Sequence, residues 1–581
     1  MGIPPIAEPP DAVGVVGGGA APDGTVGAVC DVEGVTGGPS APAGGGSPMP
    51  PAPPPAPPPP PSRPKSPRAP RDGSWIGKVL AVAGVAVTLI GVVLLLVLAA
   101  QAGILRPEIR VAAGALLAGA LVAVATRLNS RPGGRVGAIA LAATGVAAAY
   151  MDVIAVTTIY DWLSASTGLM TAAVVGAGGL LLARRWDSQH LGLLVLVPLI
   201  VLAPIVTDGI TMLLIAFMLA VSAASLLAQL GKDWIWLHAA RITAPTLPLL
   251  VALIAARIGD GNDAWLAGGC AIAAALALAG ALVLLPSTGN RAAMALLAVA
   301  GMIPVLCTSV ALARTIAALM AGGLAAALLA VVLVGDRLPG VTTGVRRVWS
   351  ATSAVSAVIA VTVAFDGEIA APVLLAMAVV VAVAGRRDDV ARVAAIGFGV
   401  VGGLLYLAYA PPISLVRATL LSTPDAVAIL AASILLIVAV LAIFWSWTGR
   451  ATLDSEAVRV ILGGLSVVVV YAVTTFTVTA GVLVGGRNGG FFAGHMAATI
   501  CWIAMAAALF GYAARLPRDD RSFPIAGGLA LVAGSMAKLF LFDLGTLDGM
   551  FRVAVFIVAG LILLAMGAGY ARLLAQQDQQ M

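Results

Sequence analysis

From Trp75 onward the chain is a succession of about eighteen continuous apolar stretches, parted by short loops. The hydrocarbon core of a bilayer is about 30 Å thick, so a spanning helix needs about 20 apolar residues. Inside that core every backbone N–H and C=O must be satisfied internally, which leaves only helices or closed barrels. The stretches are unbroken runs rather than ten-residue alternations, and this excludes a barrel. The expected fold is all-α: a polytopic integral membrane helical bundle of about 18 transmembrane helices. Its first span is expected at 75–100 and its last at 551–570.

Composition agrees. Apolar residues make up 60% and charged residues 10%, where soluble domains carry roughly a quarter charged. The net charge of +6 does not point to nucleic acid, because the basic residues sit in short loops beside apolar spans, where they set topology. With the N-terminal tail in the cytoplasm and sides alternating, 24 of the 33 Lys and Arg fall on the inner side and seven outside. Both termini are therefore expected in the cytoplasm, with the lipid bilayer as the chief partner.

Residues 1–72 are rich in Gly, Ala and Pro, with a proline run from Pro50 to Pro61 followed by Arg63, Lys65, Arg68 and Arg71. Such a segment cannot bury enough apolar surface to offset the entropy of ordering, so a disordered tail with polyproline character is expected. It has no apolar core of the kind a signal peptide carries. Either it is inert or it tethers a proline-binding protein partner. The multi-pass domain is expected over 73–572, and a short polar cytoplasmic end over 573–581.

Metal and cofactor motifs are absent from the sequence. Cys30, Cys270, Cys307 and Cys501 are scattered, as are His190, His238 and His495. No paired spacing suggests zinc or a disulfide framework, and no phosphate loop, nucleophile elbow or zinc helix occurs. The function classes left open must be built from charges inside the apolar spans. Each such charge costs about 2.5–3.5 kcal/mol at a helix centre on insertion scales, so it needs a partner or a cavity.

Asp152, in the third span, and Lys538, near the end of the seventeenth, lie at similar computed depth. They are expected either as a buried pair on a cation or proton route, or separately. Asp152 would then be a protonated carboxyl bonded to a neighbouring helix, and Lys538 a snorkelling side chain. Arg241, with His238 three residues before it, sits on the inner side of the seventh span, and Asp187 is a candidate partner. Pro198, Pro204, Pro245, Pro248 and Pro304 are candidate helix breaks, and broken helices beside a buried Arg suit an anion site. Ordinary kinking is the alternative. Asp548 and Arg552 have the i, i+4 spacing of a helix-start ion pair, with Asp543 close by. Thr474, Thr475, Thr477 and Thr479 form a polar path or helix–helix glue. The loop Gly485–Gly490 reads as an anion nest or a flexible connector.

Three stretches resemble a family of bacterial predicted membrane proteins, domain of unknown function 2339. They are Trp75-Ile76-Gly77, Trp186-Asp187-Ser188-Gln189 with the helix reaching Pro204, and Lys538-Leu539-Phe540-Leu541-Phe542-Asp543 followed by Arg552. The resemblance implies a polytopic bacterial protein and no particular activity. Here a Pro/Gly tail stands where members often carry a coiled coil. The leading expectation is a transporter or flippase-like carrier in the bacterial plasma membrane. Alternatives are a membrane-embedded enzyme on lipid-linked envelope precursors, using outer acids such as Glu108, Asp161, Asp366 or Glu368, and a scaffold for envelope machinery. A polar cavity reaching Asp152 or Arg241 would favour transport.

Overall fold

The structure, a computed structural model, describes residues 106–258, 264–419, 421–447, 455–518 and 521–540, with a few isolated residues elsewhere. The tail 1–72, most of the first and last apolar stretches, residues 573–581 and the group Asp543, Asp548 and Arg552 lie outside the described residues.

Among the described residues every regular element is helical. The α-helices are α1 Pro107–Asn129, α2 Arg135–Ile154, α3 Ala165–Arg185, α4 Gln189–Val206, α5 Met212–Gln229, α6 Ile235–Ile258, α7 Ala264–Leu284 and α8 Arg291–Leu306. They continue with α9 Arg314–Val334, α10 Thr343–Ala364, α11 Gly367–Ala384, α12 Asp389–Tyr409, α13 Thr423–Trp447, α14 Ser455–Gly485, α15 Phe491–Ala513 and α16 Ser522–Lys538. Fourteen segments are long and apolar enough to cross a bilayer, one of them, Arg459–Ala513, covering both α14 and α15. Helix α16 has only 17 residues. The expected total of eighteen is not reproduced within the described residues.

Polar residues punctuate the apolar runs. The side chains of Ser164, Ser188, Thr211 and Asn290 accept from first-turn amides of α3, α4, α5 and α8, which satisfies donors that have no partner inside the helix. Asp161, Asp187 and Asp208 follow the ends of α2, α3 and α4 with φ of 52°, 48° and 51°. A short polar side chain tolerates this left-handed turn better than most. Arg184 closes α5 by donating to the carbonyls of Leu227 at 2.6 Å and Leu230 at 3.1 Å.

Short loops make successive helices antiparallel neighbours, and the packing follows. Helices α1–α2, α3–α4, α5–α6, α7–α8, α9–α10 and α11–α12 pair closely, and each of α2, α4, α6, α8 and α10 also touches the next even-numbered helix. The principal helix contacts therefore join elements no more than two apart. Buried positions are largely Ala, Gly and Leu, such as Ala142, Ala172, Leu196 and Ala298, and small residues let backbones approach where no hydrophobic force drives helices together. One core unites α1 to α6 around Leu169, Leu196 and Met218. A second joins α5 to α10 around Leu249, Met294 and Trp349. The third joins α11 to α14 around Leu374, Phe398 and Leu436.

Two expectations are corrected here. The prolines do not break their helices: α4 runs through Pro198 and Pro204, α6 through Pro245 and Pro248, and α8 through Pro304. A proline removes one backbone donor, a gap that packed neighbours tolerate in lipid, and Thr207 and Thr246 add side-chain bonds to their own i−4 carbonyls, those of Ala203 and Ile242. The glycine loop is neither a nest nor a slack connector. Gly486–Gly490 is a single π-helical turn, and its neighbour Gly494 lies so close to α14 that a Cβ there would stand 2.6 Å from Val478 Cα.

Candidate functional site

Depth along a helix does not fix which way a side chain faces, and the proposed Asp152–Lys538 pair is not formed. Lys538 Nζ donates to Thr499 Oγ1 at 2.7 Å and to His495 O at 3.0 Å, so it bridges α16 to α15. Asp152 lies instead against α1, where Gly114 makes room for its carboxylate: a Cβ on Gly114 would be 2.7 Å from Oδ2. A pocket of about 530 Å³ among α1, α2 and α3 reaches Asp152, walled by Ala115, Gly119, Gly145, Thr171 and Gly179.

Arg241 is fully buried in α6. Its Nη2 lies 2.8 Å from His238 Nδ1. A guanidinium can only donate, so Nδ1 accepts and the ring proton of a neutral His238 sits on Nε2. Gly280 of α7 gives the guanidinium its space, since a Cβ there would lie 2.7 Å from Nη1. Arg241 Nε and Nη1 and His238 Nε2 have no acceptor among the described residues. Asp187 is not the partner expected for Arg241. It pairs with Lys232 at 2.8 Å, because its left-handed turn ends α3 beside the loop that leads into α6.

A larger cavity lies elsewhere, along α12, α13 and α14. It measures about 810 Å³ and is lined by apolar side chains including Ile396, Leu404, Leu436, Ile443, Leu465 and Val468. Gly399 and Gly403 of α12 open the wall, and Trp447 and Tyr471 stand at its two ends. A second cavity of about 540 Å³ continues along the same three helices, lined by Tyr409, Ser414, Thr419, Thr423, Thr479 and Val482. Between the two lies a polar layer. Tyr406 OH meets Ser433 Oγ at 2.8 Å, Tyr471 OH donates to Ala410 O, and Trp502 Nε1 donates to Thr474 Oγ1 at 3.0 Å. Thr479 therefore lines a cavity and Thr474 belongs to the layer, while Thr477 bonds back to its own helix.

At the Trp447 end of the larger cavity the guanidinium of Arg392 lies over the indole, 4.7 Å from the ring centroid. Arg392 is 4% exposed and donates through Nη2 to Asp389. One helical turn on, Ile396 lines the cavity. Arg386 similarly covers Trp445 at 4.8 Å. Sequence reasoning used Arg392 only as a topology marker and passed over Tyr406, Ser433, Tyr471 and Trp447. The available signals were the Gly399/Gly403 spacing, the two tyrosines inside apolar runs, and the Trp445-Ser446-Trp447 triplet at the end of an apolar run.

At the opposite helix ends Asp366 pairs with Arg314 at 2.9 Å, and both are exposed. Among the described residues no three His, Cys, Asp or Glu gather into a metal-binding group. Residues 76–387 match the profile of a family described as predicted membrane protein (DUF2339). No curated protein and no solved structure matches the chain.

Proposed function

We propose that this chain, which belongs to the predicted membrane protein family DUF2339, is a flippase-like carrier for a substrate with a long hydrocarbon part. Its apolar helices place it in a lipid bilayer. The observation that carries the reading is the pair of cavities stacked end to end along α12, α13 and α14, with the Tyr406–Ser433 layer between them. The larger cavity has walls of Leu, Ile and Val. It would cost an ion or sugar its hydration and return no polar contacts, whereas an acyl chain loses nothing by entering. The smaller cavity, with its hydroxyls, offers a headgroup somewhere to emerge. Passage requires the tyrosine layer to part.

The arginine-rich loops support a bacterial plasma-membrane location with both termini in the cytoplasm. On this reading Arg392 and Trp447 lie at the inner face. Lys538 acts as an internal fastening between α15 and α16, Arg241 and His238 form a buried contact within α6, and Asp152 serves its own smaller pocket. The test is reconstitution of the full chain into vesicles carrying a fluorescent phospholipid, with a membrane-impermeant quencher added outside. Lipid exchange between leaflets faster than in protein-free vesicles is expected. Exchange no faster than that of vesicles with an unrelated helical membrane protein would overturn the proposal.

A further inference from the structure

We infer that the basic end of the α12–α14 cavity is the headgroup site of a glycerophospholipid, with Arg392 and Trp447 presenting donors to its phosphate. The inference rests on the carrier reading for its purpose and names that reading's substrate class.

Three donor nitrogens lie at this end without an acceptor among the described residues: Arg392 Nε, Arg392 Nη1 and Trp447 Nε1. They are held together by the stacking of the guanidinium on the indole. Buried donors in native proteins almost always find a partner, and those that do not call for an unseen one. Asp389 takes only Nη2. The missing acceptor must sit beside a cavity that admits hydrocarbon, and it gains most if it is negative, because hydrogen bonds between guanidinium and an anionic oxygen are the strong ones. A phosphate carrying acyl chains meets both demands. Arg386, in the turn before α12, covers Trp445 of α13 and places a second cation–aromatic pair close by in sequence, the kind of belt that sits at headgroup level.

Length selects the lipid. Leu436 and Trp447 mark the cavity along α13, and the span between them is about 16 Å at 1.5 Å per residue. That is about half of the ~30 Å hydrocarbon core, the depth of one leaflet. Acyl chains of a glycerophospholipid fill such a length, and a long polyprenyl chain overruns it.

The experiment offers the purified full chain a 1:1 mixture of phosphatidylglycerol and diacylglycerol with identical acyl chains, so that only one of the two carries a phosphate, and reads the retained lipid by native mass spectrometry. Phosphatidylglycerol is expected in about tenfold excess, the ratio for one charge-assisted hydrogen bond gained. Arg392→Gln should bring that ratio towards one with total lipid unchanged. Should that variant not fold, Trp447→Phe decides, since it keeps the aromatic ring and removes one donor, and it should lower the ratio severalfold. Gly403→Phe should reduce total lipid, because a Cβ at Gly403 meets only Leu436 Cδ1, at 3.8 Å, and the new ring fills the cavity.

Equal retention of the two lipids by the wild type would overturn the inference. So would an unchanged ratio in Trp447→Phe, or displacement of phosphatidylglycerol by a long polyprenyl phosphate. Selective retention without leaflet exchange would sink the carrier reading and leave the headgroup site standing. Exchange without selectivity would do the reverse.

Discussion

Tyr406 and Ser433 meet hydroxyl to hydroxyl at 2.8 Å between α12 and α13, and the direction of that bond is fixed by what Ser433 does next. Its Oγ donates to Ile429 O at 2.8 Å, so the phenol of Tyr406 is the donor into Ser433. Tyr471 stands edge-on to Tyr406 with ring centroids 6.1 Å apart, and its own proton goes to Ala410 O. Both phenols thus use their protons to close the layer that separates the two cavities. Tyr406→Phe and Tyr471→Phe keep the rings and remove only these bonds. Each should cost about 1 kcal/mol of stability and speed lipid exchange, the double variant most. Thermal unfolding and the leaflet-exchange assay, run side by side, check this. Loss of stability with unchanged exchange would make the layer a fastening rather than a gate.

The Arg241–Gly280 contact gives a second expectation. A buried cation with no acidic partner among the described residues is a burden that an apolar replacement removes, and such replacements are often neutral or stabilising by about 1–4 kcal/mol. Arg241→Met should therefore leave the protein at least as stable. Gly280→Ala in the wild type should destabilise it, because the new methyl enters the space of the guanidinium. Combined, the two changes should be non-additive, with Arg241→Met relieving most of the Gly280→Ala loss. Additive effects in a double-mutant cycle of unfolding midpoints would contradict the contact.

These cases mark how far the sequence can be read. Helix extents were legible because bilayer thickness imposes a run of about 20 apolar residues whatever the fold, and Ser164 or Asp187 show where runs stop. The rotation of each helix was not. Asp152 and Lys538 have similar depth yet face α1 and α15, and depth arithmetic carries no azimuth. Asp187 pairs with Lys232 because a left-handed turn places it there, a feature of one residue's backbone rather than of spacing. The α12–α14 site was hidden for a different reason. Its parts are Leu, Ile and Gly residues that read as ordinary span, and Arg392 doubles as a topology signal.

Lys538 and Asp152 now carry a prediction opposite to that of a buried pair. Lys538→Met removes donors to His495 O and Thr499 Oγ1 and should cost about 1.5–3 kcal/mol, the range for hydrogen bonds to a charged group. Asp152→Asn acts against Gly114 of α1, with no partner in common. Sites that share no partners add within about 0.5 kcal/mol. The double variant should therefore lose the sum of the two single losses in a thermal-shift measurement, and recovery in the double variant would revive the pairing.

Glycines in two settings should respond in opposite directions to the same added methyl group. At Gly494 a Cβ would stand 2.6 Å from Val478 Cα and 2.7 Å from Thr477 O. Both are backbone atoms of α14 and cannot swing aside, so Gly494→Ala must push α14 and α15 apart at this contact. At Gly403 the added carbon meets only the tip of Leu436, at 3.8 Å, and there alanine gains about 0.5–1 kcal/mol by restricting the unfolded chain. Gly494→Ala should lower the unfolding midpoint and Gly403→Ala should raise it slightly. A Gly494→Ala protein as stable as wild type would mean that the π-helical turn Gly486–Gly490 does not hold the two backbones in contact.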